Sequence, residues 1–140
     1  EAHMDFEYVP GFLDFASWLK GQHVATALVT SSNHKKMENV YRCHPGFQDM
    51  FEEILTAEDF AASKPSPDCY LKAAKRFGLS PDDCVGFEDS FNGLKSLKAA
   101  HMKVVGLATT NSPESISALA DFIIKDYTNL DVLISRLRKW

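Results

Sequence analysis

Apolar positions along the chain change their period several times, and each change marks an element. Phe12, Phe15, Ala16 and Leu19 recur at helical spacing between Pro10-Gly11 and Gly21, which predicts a short amphipathic helix. Val24 to Val29 follows as an apolar, partly β-branched run too short for a buried helix, and predicts a strand. Its unbroken apolarity predicts burial on both faces, as in parallel sheets that carry helices on each side. The alternation then repeats. Asn33 stands where it can cap a helix through Cys43, Ile54-Leu55-Thr56 predicts a short strand, and Pro67-Asp68 opens a helix that Gly78 ends after Phe77. Cys84-Val85-Gly86-Phe87 predicts the next strand, and behind Asp89-Ser90 a helix carries Leu94, Leu97 and Ala100. Val104 to Ala108 predicts a strand, Pro113 to Leu119 a helix, Phe122-Ile123-Ile124 a strand, and Leu130 to Leu137 a closing helix with one apolar face. Five strands alternating with helices predict an α/β fold. Its form is a doubly wound, Rossmann-like parallel sheet with a ligand crevice at the carboxyl ends of the strands.

Composition narrows the picture without redirecting it. At about 150 residues per domain, the 140 residues make one unit, with no repeat or linker that divides it. A net charge of −4 with scattered Lys and Arg gives nucleic acid no electrostatic reason to bind. No apolar run approaches the roughly 20 residues of a bilayer span, and the leading residues lack the layout of a signal peptide. The expectation is a cytoplasmic protein with no membrane partner. Cys43, Cys69 and Cys84 are odd in number and lack C-x-x-C spacing, which predicts reduced, mostly buried thiols rather than a disulfide framework or zinc site. His23, His34, His44 and His101 share no ligand spacing, and Trp18, Trp140 and the phenylalanines read as core or partner contacts.

Chemistry is therefore sought directly after the strands, and three of the strand ends carry suggestive groups. Thr30-Ser31-Ser32-Asn33 leads into a helix, where hydroxyls and free N–H groups either hold an anion or simply cap. Lys64 lies in a loop stiffened by Pro65 and Pro67, and Pro65 biases it to extended geometry. A lysine so fixed suits a phosphate oxygen or a neighbouring carboxylate, while the plain alternative is a solvated surface cation. Glu88-Asp89 offers two hard carboxylates at a strand end, of the kind Mg²⁺ takes one or two of, or else Asp89 caps the next helix.

Taken together, Leu28-Val29-Thr30-Ser31-Ser32, Ser63-Lys64-Pro65-Ser66-Pro67-Asp68 and Gly86-Phe87-Glu88-Asp89-Ser90-Phe91-Asn92-Gly93 resemble the second, third and fourth motifs of the haloacid dehalogenase-like phosphohydrolases. More narrowly, they resemble the branch that holds β-phosphoglucomutase and small sugar-phosphate phosphatases. The resemblance implies Mg²⁺-dependent phosphoryl transfer through an aspartyl-phosphate, with a small phosphorylated metabolite such as a sugar phosphate as substrate. By the same resemblance Thr30 and the Ser31 N–H would bind the transferring phosphoryl group, and Lys64 would neutralise its charge. Asp89 would be a Mg²⁺ ligand and Glu88 a second one, direct or through water. Ser90 and Asn92 would support the loop, and Asn33 would lie within reach of substrate.

The first motif of that family, D-x-D after an N-terminal strand, has no match in these residues; Asp5, Asp14 and Asp49 do not follow buried strands. The helical cap typical of the branch has no match either. The expectation is that residues 10–140 are the C-terminal part of a catalytic core and residues 1–9 a stretch returning from a cap. The central first strand and its nucleophile would then come from a longer polypeptide or a second chain, because an unfilled position would leave two strand edges unpaired. Alone, such a chain is expected to be inactive. The alternative is a non-catalytic scaffold or regulatory protein that keeps a phosphate or Mg²⁺ site. An unrelated receiver-like domain is disfavoured, since its acidic pocket would stand early in the chain.

Overall fold

A computed structural model describes residues 8–140. The expected segment 1–9 therefore falls, through residue 7, outside the described residues. In order along the chain come α1 (Phe12–Gly21), β1 (Ala27–Val29), α2 (His34–Cys43), β2 (Glu53–Leu55), α3 (Asp68–Phe77) and β3 (Val85–Glu88). Then follow α4 (Phe91–Ala99), β4 (Lys103–Leu107), α5 (Pro113–Ile116), β5 (Phe122–Ile124) and α6 (Leu130–Arg138). The expected α/β architecture of parallel strands flanked by helices is present. Residues 117–119 differ slightly from expectation, continuing α5 as a tighter 3-10 turn. No helix of the described residues is long and apolar enough to cross a membrane.

All strand pairings are parallel, but the strands fall into two groups: β1 with β2, and β3–β4–β5 with β4 central. Ala27 pairs with Glu53 and Val29 with Leu55, and Thr30 N–H extends the ladder to Leu55 O at 3.0 Å. β1 and β3 are not hydrogen-bonded to each other, so their facing edges interrupt the sheet. Burial follows this break. Val104 to Leu107 of β4, with neighbours on both edges, are all buried, whereas the three residues of β1 are only half-buried. The expectation that β1 is buried on both faces is thus corrected, because among the described residues its second edge has no partner strand. Its length is corrected too: the ladder gives Val24 and Ala25 nothing to pair with, and Val24 is exposed.

Alternation along β3 and β4 divides the core into two faces. Val104 packs with Cys69, Tyr70 and Ala74 of α3 and Leu94 and Leu97 of α4. On the other face Leu107 and Phe87 pack with Phe15 of α1, Tyr127 and Leu133 of α6. Leu94 and Leu97 are fully buried, which at about 1.5–3 kcal/mol each makes α4 a rigid support for the strand end beside it. A third cluster of Met37, Val40 and Phe47 covers β1 through Leu28. Gly11 ties α1 to the far end of the chain: at φ +82° it lies against the Tyr127 backbone, where a Cβ would meet carbonyl carbon at 2.4 Å. Among the free cysteines only Cys69 is buried; Cys43 is exposed and Cys84 half-buried, so the expectation of mostly buried thiols fails. Cys43 is the last residue of α2, and the helix end leaves it open to solvent.

Candidate phosphoryl site

Thr30 stands directly after β1. Its Oγ1 accepts from Ser32 N–H at 3.1 Å, which leaves the hydroxyl hydrogen to donate. Ser31 is exposed beside it. Asn33 does cap α2, its Oδ1 accepting from Lys36 N–H at 2.9 Å. The helix N-terminus behind Thr30 is thereby oriented by local hydrogen bonds, as Ser, Thr and Asn at such positions dictate.

Lys64 is no solvated surface cation, for its side chain is only 12% exposed. Its ammonium lies 2.5 Å from Glu88 Oε2, donates to Val29 O at 3.3 Å and sits 5.1 Å from the Tyr70 ring centroid. One lysine thus bridges the ends of β1 and β3 across the interrupted sheet. The loop that delivers it is held on both sides. Asp68 Oδ2 accepts from the N–H groups of Ala61 and Ala62 at 2.7 and 3.3 Å. Beyond it, the fully buried Ser96 of α4 donates to Ser66 O at 2.6 Å. The Lys64-Pro65 peptide is cis.

Glu88 and Asp89 divide in environment. Glu88 Oε2 takes both Lys64 and the Tyr70 hydroxyl, and Oε1 lies over Gly93, where an added Cβ would come within 2.1 Å. The glycine four residues past Asp89 is therefore a close-approach position that makes room for the carboxylate. Asp89 does not cap α4. Ser90 does, its Oγ accepting from Gly93 N–H at 3.0 Å, which leaves the Asp89 carboxylate for other partners. Thr110 Oγ1 donates to Asp89 Oδ2 at 3.4 Å, and Asn111 Nδ2 donates to Asp89 O at 3.1 Å. Asn92 is exposed on the first turn of α4.

Electrostatics matches this arrangement. Burial, reinforced by the Glu88 charge, pushes the Tyr70 phenol far above its ordinary value, so it stays a neutral donor. Burial also raises Tyr127, with the charges of Asp89 and Glu88 adding to it. Among the described residues no three His, Cys, Asp or Glu side chains gather as a complete metal cage. The donors present suit Mg²⁺ nonetheless, since that ion is commonly held by one or two carboxylates and completes its shell with water and phosphate. Asp89 offers the less committed carboxylate, and Glu88 retains Oε1.

Tyr70, Ser96, Thr110 and Asn111 were not singled out from sequence. Thr110-Asn111 stand in the loop that leaves β4, three and four residues past Leu107, so a search of strand ends widened from the first residue to the whole loop would have reached them. Tyr70 sits on the apolar side of α3 and carries no such signal. A cavity of about 320 Å³ lined by Asp82, Lys98, His101 and Asp121 lies at the opposite, amino-terminal end of β4 and takes no part in this site.

Known proteins similar to the chain share one family and one fold. A haloacid dehalogenase-like hydrolase family model matches residues 5–101. The chain is 34% identical over 140 residues to the bifunctional riboflavin kinase/FMN phosphatase of Arabidopsis thaliana, covering 99% of this chain and 36% of that protein. It is 31% identical over 125 residues to hexitol phosphatase B of Escherichia coli strain K12, covering 87% of this chain and 55% of the relative. The crystal structure of CbbY from Rhodobacter sphaeroides in complex with phosphate superposes with a TM-score of 0.76 at 27% identity, covering 87% of this chain and 55% of that one. The chain thus spans about half, or less, of the length of these relatives.

Proposed function

The chain belongs to the haloacid dehalogenase-like hydrolases, and on that footing we propose that it forms the C-terminal core of a Mg²⁺-dependent phosphohydrolase or phosphomutase for small phosphorylated metabolites such as sugar phosphates. The observation that carries this reading is the Lys64 bridge, which draws the ends of β1 and β3 and the Glu88 carboxylate to one point. Support for the substrate class comes from relatives such as the hexitol phosphatase.

In this reading Thr30 O–H and Ser31 N–H bind two phosphoryl oxygens. Lys64 carries three N–H groups, two of which go to Val29 O and Glu88, and the third faces the phosphoryl group. In-line transfer spreads negative charge over the equatorial oxygens, and fixed donors aimed at them lower the barrier without reorganising. Asp89 would hold Mg²⁺, with Glu88 completing the set directly or through water, and Thr110 and Asn111 keep Asp89 in place. The ion supplies further neutralisation of the phosphate when bound.

The nucleophile is the remaining component. No D-x-D stands in these residues. Among the described residues the second edges of β1 and β3 pair with no strand, and one further parallel strand placed between them would have its carboxyl end emerge between Thr30 and Glu88. A carboxylate there would attack phosphorus as the ester oxygen leaves with a proton, and water would then release phosphate. The 140 residues by themselves would bind phosphate without turning over. The test is p-nitrophenyl phosphate hydrolysis by the purified chain with Mg²⁺, expected to stay at the blank rate. Turnover that disappears in Lys64→Ala and Asp89→Asn would place a nucleophile inside this chain and overturn that part of the proposal.

A further inference from the structure

The phosphoryl site proposed above rests on Lys64 and Glu88, and one further side chain meets both. Tyr70, on the first turn of α3 and 7% exposed, donates its hydroxyl to Glu88 Oε2. That same oxygen takes Lys64 Nζ at 2.5 Å, and the ammonium stands 5.1 Å from the centroid of the Tyr70 ring. We infer that Tyr70 is a positioning residue of the phosphoryl site, whose hydroxyl and ring fix Lys64 and Glu88 as one unit. This inference rests on the function proposed above.

A lysine side chain has four rotatable carbons, so an ion pair to one oxygen leaves the ammonium free to swing. Here three contacts confine it: Val29 O, Glu88 Oε2 and the aromatic face. Glu88 is confined as well. The phenol and the ammonium converge on Oε2, and the Gly93 backbone limits the space beside Oε1. Remove the hydroxyl and the carboxylate loses one of two donors on Oε2, so it can rotate and carry Lys64 with it. The phenol itself cannot follow, because Cys69, Tyr70 and Ala74 seat α3 in the core.

Tyr70→Phe separates positioning from space filling, since phenylalanine keeps the ring and loses only the hydroxyl. The first readout is the acylation rate of each lysine in the full chain with acetic anhydride at fixed pH, followed by peptide mass spectrometry. Lys64 should react far more slowly than the exposed Lys35 and Lys75 in the natural chain. In Tyr70→Phe its rate should rise at least about threefold relative to Lys75, as loss of a hydrogen bond to a charged group permits, while Lys72 on the same helix is unchanged. An unchanged Lys64 rate overturns the inference.

The second readout is inorganic phosphate with Mg²⁺, titrated by NMR shift changes at Thr30, Ser31 and Lys64. Tyr70→Phe should weaken phosphate roughly fivefold, in keeping with a displaced charge-assisted contact, and Lys64→Ala should abolish binding. Phosphate binding that is lost in Lys64→Ala but unaltered in Tyr70→Phe overturns the positioning role and leaves the functional proposal standing. No phosphate binding by the natural chain overturns the functional proposal, and Tyr70's phosphoryl role with it, even where acylation still shows the Lys64–Glu88 coupling.

Discussion

Replacing Gly93 by alanine tests the packing at the centre of the site. A Cβ at Gly93 would lie 2.1 Å from Glu88 Oε1, 2.2 Å from its Cδ and 2.6 Å from Oε2. The carboxylate cannot yield freely, because Oε2 is tied to Lys64 and to Tyr70. Displacing it leaves an ammonium 12% exposed and a buried phenol without their acceptor. Buried polar groups stranded in this way cost about 1–3 kcal/mol each. The opposing effect is the helical preference of alanine over glycine, about 1 kcal/mol in favour. Gly93→Ala should therefore destabilise the chain by roughly 1–5 kcal/mol, the difference between the cost of stranding the two groups and the helical gain. In a Glu88→Ala background the three nearest atoms are gone, and the same substitution should stabilise by up to about 1 kcal/mol. Guanidinium unfolding followed by circular dichroism on the natural chain, the two single variants and the double variant measures both values. The decisive outcome is the change of sign. Gly93→Ala that is neutral in the natural background, or equally damaging in both, would refute the packing argument.

Further outcomes follow from the same contacts. Lys64→Met strands a Glu88 side chain that is only 10% exposed and should cost about 3 kcal/mol in equilibrium unfolding; adding Glu88→Leu should recover most of the loss, because an apolar pair can replace a buried ion pair. No recovery in that double variant would count against the pairing. Gly11→Ala at φ +82°, facing Tyr127 backbone at 2.4 Å, should lose more than about 2 kcal/mol in the same assay through strain and overpacking, and an unchanged midpoint would show that the α1 tether is loose. The Thr56 backbone N–H, bonded to Asp59 at 2.7 Å, holds that carboxyl below its ordinary value. A depressed carboxyl stabilises the fold above the unfolded value of about 3.9 and loses that contribution as pH falls through the lower folded value. The stability difference between the natural chain and Asp59→Asn should therefore shrink below about pH 4, and a difference constant from pH 7 to 2 would contradict the assignment.

How far the sequence disclosed this structure depends on what each residue's information concerns. Helix ends such as those at Asn33 and Gly78 were legible because these residues act on backbone groups a few residues away. β4 was legible because Val104 to Leu107 are buried on both faces, as an unbroken apolar run suggests. Val24 and Ala25 show the same apolarity without forming a strand, since strand length depends on a partner that sequence does not display. The sequence offered Asp89 as the cap of α4, and only geometry shows Ser90 taking that place. The burial of Lys64 was likewise hidden, because its partners Val29 and Glu88 are 35 and 24 residues away. Tyr70 had no legible role for the same reason, as a phenol on an apolar helix face looks like core until the acceptor behind it is seen.

In the proposed function, Thr30, Lys64, Glu88 and Asp89 form a phosphoryl site completed by a strand between β1 and β3. Its most direct measurement is the rate of p-nitrophenyl phosphate hydrolysis with Mg²⁺ by this chain supplied, by fusion or in trans, with a strand ending in D-x-D. Turnover is expected that requires both aspartates of the added strand and is lost in Lys64→Ala and in Asp89→Asn. A folded, strand-bound assembly that binds neither phosphate nor Mg²⁺, or turnover indifferent to Lys64 and Asp89, would contradict it.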